Sequence, residues 1–300
     1  MARMIDGVWE ADWRPTDQDG DGAFRRKPSV FRGAMPAGPL EPGRFHLFVS
    51  WTCPWAHRTL LARSLKGLQG GIPVYFANEL SERSWRFSSS EASPHGDEFL
   101  YQLYLRADPR YTGRVTVPVL WDEREQRIVN NESSEIFACL DQLPSEAPPL
   151  RPAHLRDAID DWGERMYDTL NNGVYRAGFA TNQAAYDQAV DSVFAMLAQL
   201  EAHLEGRRWM VGDQLTEADI RLFVTTFRFD AAYYSLFRCN QRRLADHPNL
   251  QAHLERVYAV PGVAETCHLD AMRRGYASVR AINPSGIVPV GPPLFLQRAA

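Results

Sequence analysis

The chain has 300 residues, of which 45% are hydrophobic, and a formal net charge of -4. This length and apolar content predict two domains of ordinary size, each with its own core. The slightly negative charge, and a sequence without basic stretches interleaved with aromatic residues, exclude nucleic acid as the main partner. Four cysteines without regular spacing are typical of a reducing compartment, so the protein is expected in the cytoplasm. No apolar run approaches the length of a membrane span.

The first part of the chain, residues 1–43, is rich in glycine, proline and aspartate. It has the periodicity of neither a helix nor a strand. We therefore expect an irregular N-terminal extension that is held on the following domain by its aromatic side chains, namely Trp9, Trp13, Phe24 and Phe31.

Cys53 lies between a predicted strand and a predicted helix. Residues 44–50 alternate in polarity, and residues 54–68 have apolar side chains at helical spacing. Pro54 suits the first position of a helix, because its missing N–H would have no partner there. Cys53 is therefore predicted to be the N-cap, with its sulfur facing the free N–H groups and the positive end of the helix dipole. Such a position lowers the pKa of a thiol and favours the thiolate.

No second cysteine accompanies Cys53. A dithiol redox motif would have cysteine at the fourth position, where this chain has Ala56. A single thiolate that forms a mixed disulfide needs an external thiol to resolve it, and glutathione is the abundant cellular one. The alternative is that Cys53 is a small buried hydrophobic residue, as most cysteines are. Cys139 falls in an apolar helical pattern typical of a core, whereas Cys239 and Cys267 are expected at exposed positions.

Further elements complete a predicted first domain at residues 44–143. They are strands at residues 72–77, 115–122 and 127–130 and a helix at residues 134–143. An insertion, residues 78–111, separates the second strand from the third. The order βαβ followed by ββα is that of a thioredoxin-like α/β domain. Pro118 lies inside the third strand, which is tolerated if its peptide bond is cis and the backbone there faces a ligand.

A proline-rich linker, residues 143–149, leads to a second domain that is predicted to be all-helical and to span residues 150–281. Its clearest helices are at residues 154–171, 183–205, 216–230 and 249–257. Thr216 and Asp219 match a capping box at the start of the third of these helices. Residues 282–300 are predicted to form an extended tail.

A thioredoxin-like domain followed by a helical bundle resembles the glutathione transferase fold. Six segments resemble one branch of that family, the glutathionyl-hydroquinone reductases or Xi class. They are Cys53-Pro54-Trp55-Ala56-His57-Arg58, residues 113–122, Asn131-Glu132-Ser133, residues 171–180, residues 215–222 and Ile282-Asn283-Pro284-Ser285-Gly286. The Cys-Pro start also suits the omega class, whereas the segment around Tyr175 and the Asn-Pro-x-Gly tail are specific to the reductases. No site residue is taken from the extension.

The resemblance implies an enzyme that removes glutathione from glutathionyl-hydroquinones. The Cys53 thiolate attacks the glutathione sulfur, and the aromatic ring leaves as a hydroquinone. A second glutathione then attacks the mixed disulfide and releases oxidised glutathione. Glutathione is thus a co-substrate. No metal is implied, and the cysteines and histidines lack zinc-site spacing.

Glutathione requires groups that bind its carboxylates, its amine and its central peptide. The backbone of Val117 can pair with the peptide, because Val117 precedes the expected cis Pro118. Ser133 and the N–H groups at the predicted helix start can bind the γ-glutamyl carboxylate, and Glu132 can bind the amine. Arg114 can supply positive charge. The alternatives are that Glu132 and Ser133 only cap a helix and that Arg114 is a surface residue.

The resemblance also implies that Trp85, Tyr175 and Tyr276 contact the substrate, with Trp85 near glutathione as well. A tyrosine hydroxyl can donate a hydrogen bond to a quinone oxygen and stabilise negative charge as the thioether breaks. Without the resemblance, each of these aromatic residues would be interpreted as core packing.

Two other functions remain open from the sequence. An omega-like thioltransferase or dehydroascorbate reductase would use Cys53 in the same way on other substrates. A non-catalytic binding module of the same fold would need neither the nucleophile nor the glutathione-binding residues. The family also implies a homodimer, acting on small molecules and without a membrane or nucleic-acid partner.

Overall fold

The computed structural model describes residues 3–10, 20–36, 38–81, 84–88, 93–292 and 294 of the chain. They group into two compact units. Within these described residues, the first unit comprises Met1–Thr16, Lys27–Pro148 and Thr266–Gly275, and the second comprises Asp17–Arg26, Pro149–Glu265 and Tyr276–Ala300. The units differ from the predicted domains in two places. The extension divides between them, and a segment predicted in the helical domain groups with the first unit.

All the strands of the described residues lie in the first unit. They are β1 (Arg3–Ile5), β2 (Val8–Glu10), β3 (Phe45–Val49), β4 (Val74–Ser81), β5 (Ser84–Phe87), β6 (Gly113–Arg114), β7 (Val119–Asp122) and β8 (Arg127–Asn130). Five strands form one sheet in the order β5-β4-β3-β7-β8. Strands β3 and β4 are parallel, and the other neighbouring pairs are antiparallel. This mixed sheet confirms the thioredoxin-like prediction.

Three helices lie wholly in the first unit, namely α1 (Pro54–Leu65), α2 (Leu100–Ala107) and α3 (Ser133–Asp141). Helix α1 connects the parallel strands β3 and β4, as the predicted βαβ unit requires, and it packs against α3. It ends before the predicted residue 68, because Gly67 has a φ of +68°, a left-handed conformation that ends helices.

The extension is not irregular throughout, which corrects the prediction. Strands β1 and β2 form a hairpin, and β1 also pairs with β6 in a second, three-stranded sheet. The hairpin turns at Asp6 and Gly7, whose φ values are +48° and +77°. Asp-Gly is a strong sequence signal for a two-residue hairpin turn with two positive φ values.

Aromatic side chains of the extension pack within each unit. Ring centroids lie 5.3 Å apart for Trp9 and Tyr101 and 5.6 Å apart for Phe31 and Tyr111, all in the first unit. In the second unit, Phe24 and Phe179 are 5.4 Å apart. Trp13 lies outside the described residues.

The later helices are α4 (Arg156–Met166), α5 (Gly173–Gly178), α6 (Gln183–His203), α7 (Glu217–Arg228), α8 (Pro248–Tyr258) and α9 (Leu269–Ala277). Helices α4 to α8 lie in the second unit, and no strand occurs among that unit's described residues. The prediction of an all-helical part is thus confirmed, although α5 and α9 were not predicted. One π-helical turn, Tyr167–Asn171, follows α4, and another, Phe229–Tyr233, follows α7.

The predicted capping box starts α7. The backbone N–H of Thr216 donates to Asp219 Oδ2 at 2.8 Å. The other oxygen, Oδ1, accepts the backbone N–H of Met210 at 2.7 Å and lies 2.9 Å from His253 Nε2. The buried Asp219 carboxylate therefore caps α7 and also connects α8 to the loop that precedes α7. This role is structural.

The expectation that Cys239 is exposed is wrong, because its side chain is 0% exposed. Its backbone N–H donates to the Tyr233 carbonyl at 3.1 Å, which holds the residue under the turn after α7. Cys139 and Cys267 are half-buried, and all four cysteines are free thiols. None of the helices in the described part of the chain is long and apolar enough to cross a membrane.

The predicted tail begins with turns. Asn283 Nδ2 donates to the carbonyls of Ala277 and Ile287, at 2.7 and 2.9 Å. Between residues 282 and 292 the described chain has no helix or strand, and residues 293 and 295–300 lie outside the described residues.

Candidate active site

Cys53 is the N-cap of α1, as predicted, and Pro54 takes the first helical position. The Cys53 side chain makes no capping hydrogen bond to the N–H groups of α1 that it was expected to face. The backbone N–H of His57 donates to the Cys53 carbonyl at 2.9 Å and so closes the first turn. The Cys53 side chain is half-buried. Its Sγ donates to the backbone carbonyl of Val117 at 3.4 Å. The structure thus brings together Cys53 and the backbone of Val117, two residues that are 64 apart in the chain.

The peptide bond between Val117 and Pro118 is cis, as predicted. Val117 is buried. It is followed by Pro118 and then by β7, which begins at Val119. Its carbonyl oxygen has two lone pairs, so it can accept from the Cys53 thiol and from one further N–H.

A second polar group lies at the start of α3. Glu132 is the N-cap, and its Oε1 accepts the backbone N–H of Ser134 at 3.4 Å. Ser133 is buried, and its hydroxyl accepts two hydrogen bonds from Arg58, at 3.0 Å from Nε and 2.6 Å from Nη2. The same Nη2 lies 3.7 Å from Glu132 Oε1. Glu132 therefore caps α3, which is the role given above as the alternative. The buried guanidinium of Arg58 lies beside its carboxylate.

One helix connects these two groups. Arg58 follows Cys53 by five residues, which is about 7.5 Å along the axis of α1. The thiol at the N-cap and the guanidinium that holds Ser133 therefore move together as parts of a single rigid element.

The sequence predicted glutathione contacts for Arg114 and Trp85 as well. Arg114 lies in β6, and its Nη2 donates to the Lys27 carbonyl at 2.6 Å. Trp85 lies in β5, the edge strand of the five-stranded sheet, opposite Leu80 of β4, and is half-buried. Their contacts with glutathione stay predictions.

Sequence reasoning missed a C-terminal segment that packs on α1. His57 is buried, and its Nε2 lies 3.0 Å from Thr266 Oγ1 and 3.8 Å from Cys267 Sγ. More than 200 residues separate His57 from this segment, so no local pattern could have indicated the contact.

Three tyrosine hydroxyls meet in the second unit. The hydroxyl of Tyr276 lies 2.9 Å from those of Tyr175 and Tyr233. All three side chains are buried, and Phe237 makes edge-to-face contacts with each ring. Tyr175 and Tyr276 were predicted, and Tyr233 was missed. It lies in the π-helical turn beyond residue 230, where the predicted helix ended.

Burial keeps Tyr233 and Tyr276 protonated. It raises the pKa of Tyr233 and of Tyr276 well above the usual 10.0, and the nearby Tyr175 adds to both shifts. Each neutral hydroxyl has one proton, so the two hydrogen bonds use two of the three donors. One of the three hydroxyl protons of the tyrosine cluster, Tyr175, Tyr233 and Tyr276, is therefore not used within the cluster.

The extension contributes Arg26 to the same unit. Its guanidinium carbon lies 5.1 Å from the centre of the Tyr175 ring, and its Nε donates to Asn172 Oδ1 at 3.2 Å. A cation over an aromatic face is stabilising, and here it fixes the ring that follows the π-helical turn after α4. The described residues contain no group of three or more His, Cys, Asp or Glu that could hold a metal ion.

Comparisons with known proteins identify the fold of both parts. The model of the glutathione S-transferase N-terminal domain matches residues 52–143, and that of the C-terminal domain matches residues 183–256. A solved structure of the Xi class GST from Natrialba magadii has 39% sequence identity and a TM-score of 0.91, covering 98% of this chain and 94% of that chain. The glutathione-bound structure of YqjG, a glutathione transferase homolog from Escherichia coli K-12, has 44% identity and a TM-score of 0.87, covering 98% and 97%.

Similar full-length relatives carry a more specific name. Glutathionyl-hydroquinone reductase PcpF from Sphingobium chlorophenolicum is 49% identical, over 97% of this chain and 96% of the relative. Glutathionyl-hydroquinone reductase YqjG from Escherichia coli strain K12 is 48% identical, over 97% of this chain and 95% of the relative. The chain belongs to the glutathionyl-hydroquinone reductase family, the Xi class of the glutathione transferases.

Proposed function

We propose that this protein is a glutathione-dependent oxidoreductase that reduces glutathionyl-hydroquinones to hydroquinones through a Cys53–glutathione mixed disulfide. The observation that carries the proposal is Cys53 at the N-cap of α1 with Ala56, not cysteine, three residues later. A helix N-terminus favours the thiolate, and because the fourth position of the motif has no cysteine, we assign the regeneration of this thiolate to glutathione.

In the first step, the Cys53 thiolate attacks the sulfur of the glutathionyl thioether. A sulfur–sulfur bond forms and the bond from sulfur to the ring carbon breaks. The ring carbon keeps the electron pair and takes up a proton, so the ring is reduced while Cys53 is oxidised to the mixed disulfide.

In the second step, the thiolate of a second glutathione attacks the glutathione sulfur of the mixed disulfide. Oxidised glutathione leaves and the Cys53 thiolate returns. The sum is one glutathionyl-hydroquinone and one glutathione converted to one hydroquinone and one oxidised glutathione, which balances in atoms and electrons.

Glutathione is assigned to the groups that flank Cys53. The Val117 backbone pairs with the central peptide, Ser133 and the N–H groups of α3 bind the γ-glutamyl carboxylate, and Glu132 binds the amine. The buried Arg58, which holds Ser133, supports this assignment because it adds positive charge at the proposed carboxylate site. Arg114 is assigned to a carboxylate.

The hydroquinone is assigned to Trp85, Tyr175 and Tyr276, with Trp85 shared with glutathione. What supports the tyrosines is the meeting of their buried hydroxyls, since a hydroxyl can donate a hydrogen bond. A phenol that donates to a quinone oxygen stabilises the charge that develops there as the thioether breaks. The transfer of a proton to the ring carbon needs a neutral donor, which a buried tyrosine supplies.

A substrate panel tests the function. The protein is assayed with a glutathionyl-hydroquinone, hydroxyethyl disulfide, dehydroascorbate and chlorodinitrobenzene, each with glutathione. We expect the highest kcat/KM for the glutathionyl-hydroquinone, with hydroquinone and oxidised glutathione formed in equal amounts. Cys53→Ser removes this activity, whereas Cys139→Ser, a change at a half-buried cysteine outside the proposed site, retains it. Faster turnover of dehydroascorbate would favour the omega-like function. If none of the four substrates is turned over, the result would favour a binding module.

The cellular setting is part of the proposal. The free thiols of all four cysteines fit the cytoplasm, where glutathione is reduced. We also propose a homodimer, as the family implies, and size-exclusion chromatography with light scattering measures the mass directly.

A further inference from the structure

A short segment of the N-terminal extension, residues 29–33, runs beside β8 and reaches the start of α3. The Gly33 N–H donates to the Val129 carbonyl at 2.8 Å, and the Asn131 N–H donates to the Phe31 carbonyl at 3.0 Å. Asn131 Oδ1 in turn accepts the Phe31 N–H at 3.1 Å. These bonds add the segment to the free edge of the five-stranded sheet, directly before Glu132.

Ser29, the first residue of the segment, holds one oxygen of Glu132. Its Oγ lies 3.0 Å from Glu132 Oε2 and 3.2 Å from the Asn131 carbonyl oxygen. A hydroxyl has one proton, and the ionised carboxylate is the stronger acceptor. Glu132 Oε1 already accepts from Ser134, so the two oxygens are fixed by different parts of the chain.

We propose that the N-terminal extension forms part of the glutathione site and that Ser29 is a positioning residue for Glu132. The inference rests on the proposed function, in which Glu132 binds the α-ammonium group of glutathione. A carboxylate has about four lone-pair positions, so the bonds from Ser29 and Ser134 leave positions for the ammonium group. Arg58 Nη2 lies 3.7 Å from Oε1, so Arg58 competes with the ammonium group for the Glu132 carboxylate. The hydrogen bond from Ser29 holds Oε2 on the side away from Arg58.

The segment does not depend on Ser29 for its place. Arg32 forms an ion pair with Glu135 of α3, and Asn130 Nδ2 donates to the Gly33 carbonyl at 2.8 Å and to Glu135 Oε2 at 2.8 Å. Removal of the Ser29 hydroxyl therefore leaves the other bonds of the segment in place, so its effect can be measured without loss of the sheet edge.

The experiment measures glutathione affinity by calorimetry in the Cys53→Ser protein, which cannot form the mixed disulfide. Adding Ser29→Ala is expected to weaken binding about three- to tenfold, less than the direct loss of a hydrogen bond to a charged group because Ser29 acts on the ligand only through Glu132. Ser29→Thr keeps a hydroxyl and is expected to stay within about twofold of the parent. The second ligand is glutarylcysteinylglycine, in which hydrogen replaces the α-ammonium group of glutathione. Its affinity should be the same with and without Ser29→Ala, because the group that Glu132 binds is missing.

Ser145→Ala is the matched control. Ser145 lies in the same unit, and its hydroxyl donates to the Lys66 carbonyl at 2.7 Å and accepts the Ala147 N–H at 3.1 Å, so its loss removes two hydrogen bonds outside the proposed site. We expect unchanged glutathione affinity and a melting temperature close to that of the Ser29→Ala protein. The inference is overturned if Ser29→Ala binds glutathione as tightly as the parent, or if it weakens both ligands equally. It is also overturned if Ser29→Thr is as weak as Ser29→Ala, or if the Cys53→Ser parent does not bind glutathione.

Failure of this inference and failure of the proposed function give different results. Unchanged affinity in Ser29→Ala, with normal reduction of a glutathionyl-hydroquinone by the native protein, removes only the role of Ser29. In the opposite case, Ser29→Ala loses affinity for glutathione only, and the native protein does not reduce a glutathionyl-hydroquinone. That result supports the role of Ser29 and rejects the proposed reductase function.

Discussion

Gly275 packs against Thr52, the residue immediately before Cys53. A β-carbon added to Gly275 would lie 1.8 Å from Thr52 Oγ1, 2.9 Å from its Cβ and 3.1 Å from its Cγ2. Threonine is branched at Cβ and cannot swing away by rotation of a long side chain. Gly275, in the last turn of α9, therefore fits against the turn that presents the thiol only because it has no side chain.

We predict that Gly275→Ala lowers both stability and turnover. Alanine is the better helix former, but the overlap with Thr52 should outweigh this and destabilise the fold by about 1–3 kcal/mol, the cost of overpacking. Urea denaturation measures this cost, and kcat/KM for a glutathionyl-hydroquinone reports the shift of Cys53. Gly70→Ala, where nothing lies within 4 Å of the new β-carbon, is the control. Adding Thr52→Ala should restore part of the stability, and a Gly275→Ala protein as stable as the native one would contradict the packing argument.

Selective labelling should separate Cys53 from the buried cysteine. Burial raises the pKa of Cys239 to about 12, so almost none of it is thiolate at neutral pH, and its side chain is inaccessible. We expect iodoacetamide at pH 7 to modify Cys53 first and to leave Cys239 unmodified until the protein is denatured. Incubation with oxidised glutathione should likewise give one adduct on Cys53, located by peptide mass spectrometry. Modification of native Cys239 at the rate of Cys53 would contradict the assigned positions.

Ala56→Cys should convert the active site to a dithiol site. The new thiol lies at the fourth position of the Cys-x-x-Cys spacing and can attack the Cys53 mixed disulfide before a second glutathione does. We expect a disulfide between Cys53 and the introduced thiol under mild oxidation, detected by mass spectrometry. Because Ala56 is 0% exposed, the larger side chain should also reduce stability. Ala62→Cys, equally buried but about 13.5 Å along the helix from Cys53, is the control that should form no such bond.

Stability should fall as the solution becomes acidic. Burial lowers the pKa of His46 and of His247 below the usual 6.5. In the unfolded chain these histidines take up protons near pH 6.5, whereas in the folded protein they stay neutral to lower pH. The unfolded state therefore binds more protons, and stability is lost as pH falls below about 6.5. In the His46→Gln/His247→Gln protein, the melting temperature should change less between pH 7 and pH 5 than in the control protein. The control is His154→Gln, which changes an exposed histidine. Equal slopes would contradict this assignment.

The structural features around Cys53 that were predicted correctly follow from local chemistry. Cys53 could be identified as an N-cap because a strand, a proline and a helical pattern meet at that residue. The cis bond at Pro118 could be predicted because proline is normally excluded from the interior of a strand, although the predicted strand was too long and β7 begins only at Val119. The hairpin at Asp6-Gly7 was equally local, and its turn signal was overlooked.

The parts that were missed depend on distant contacts. Tyr233 lies past the residue where the periodic pattern ends, and only the π-helical turn brings its hydroxyl to Tyr276. Ser29 belongs to an extension with no periodicity, and its hydrogen bond is to Glu132, 103 positions away. Contacts of this range are set by tertiary packing, which a single sequence does not specify.

The tyrosine cluster gives the prediction that separates a hydroquinone reductase from an omega-like enzyme. Tyr276 takes part in both hydrogen bonds of the cluster, whereas Tyr175 and Tyr233 take part in one each. Tyr→Phe keeps each ring and its edge-to-face packing and removes only a hydroxyl. If the tyrosines donate to a hydroquinone oxygen, Tyr175→Phe and Tyr276→Phe should each lose roughly 1–3 kcal/mol of transition-state stabilisation. This corresponds to a fall of about fivefold to a hundredfold in kcat/KM for glutathionyl-hydroquinones.

The measurement is a ratio of two activities in one protein. Reduction of hydroxyethyl disulfide with glutathione involves no quinone oxygen, so its kcat/KM should change little in either variant. Tyr186→Phe is the control, since Tyr186 donates to the Arg238 carbonyl at 2.7 Å in the same unit, and it should leave both activities unchanged. Tyr276→Phe should be the more damaging variant, because its loss leaves two other buried hydroxyls without a partner in the cluster. Equal losses on both substrates would mean that the tyrosines support the fold, and unchanged activity on both would make them packing residues.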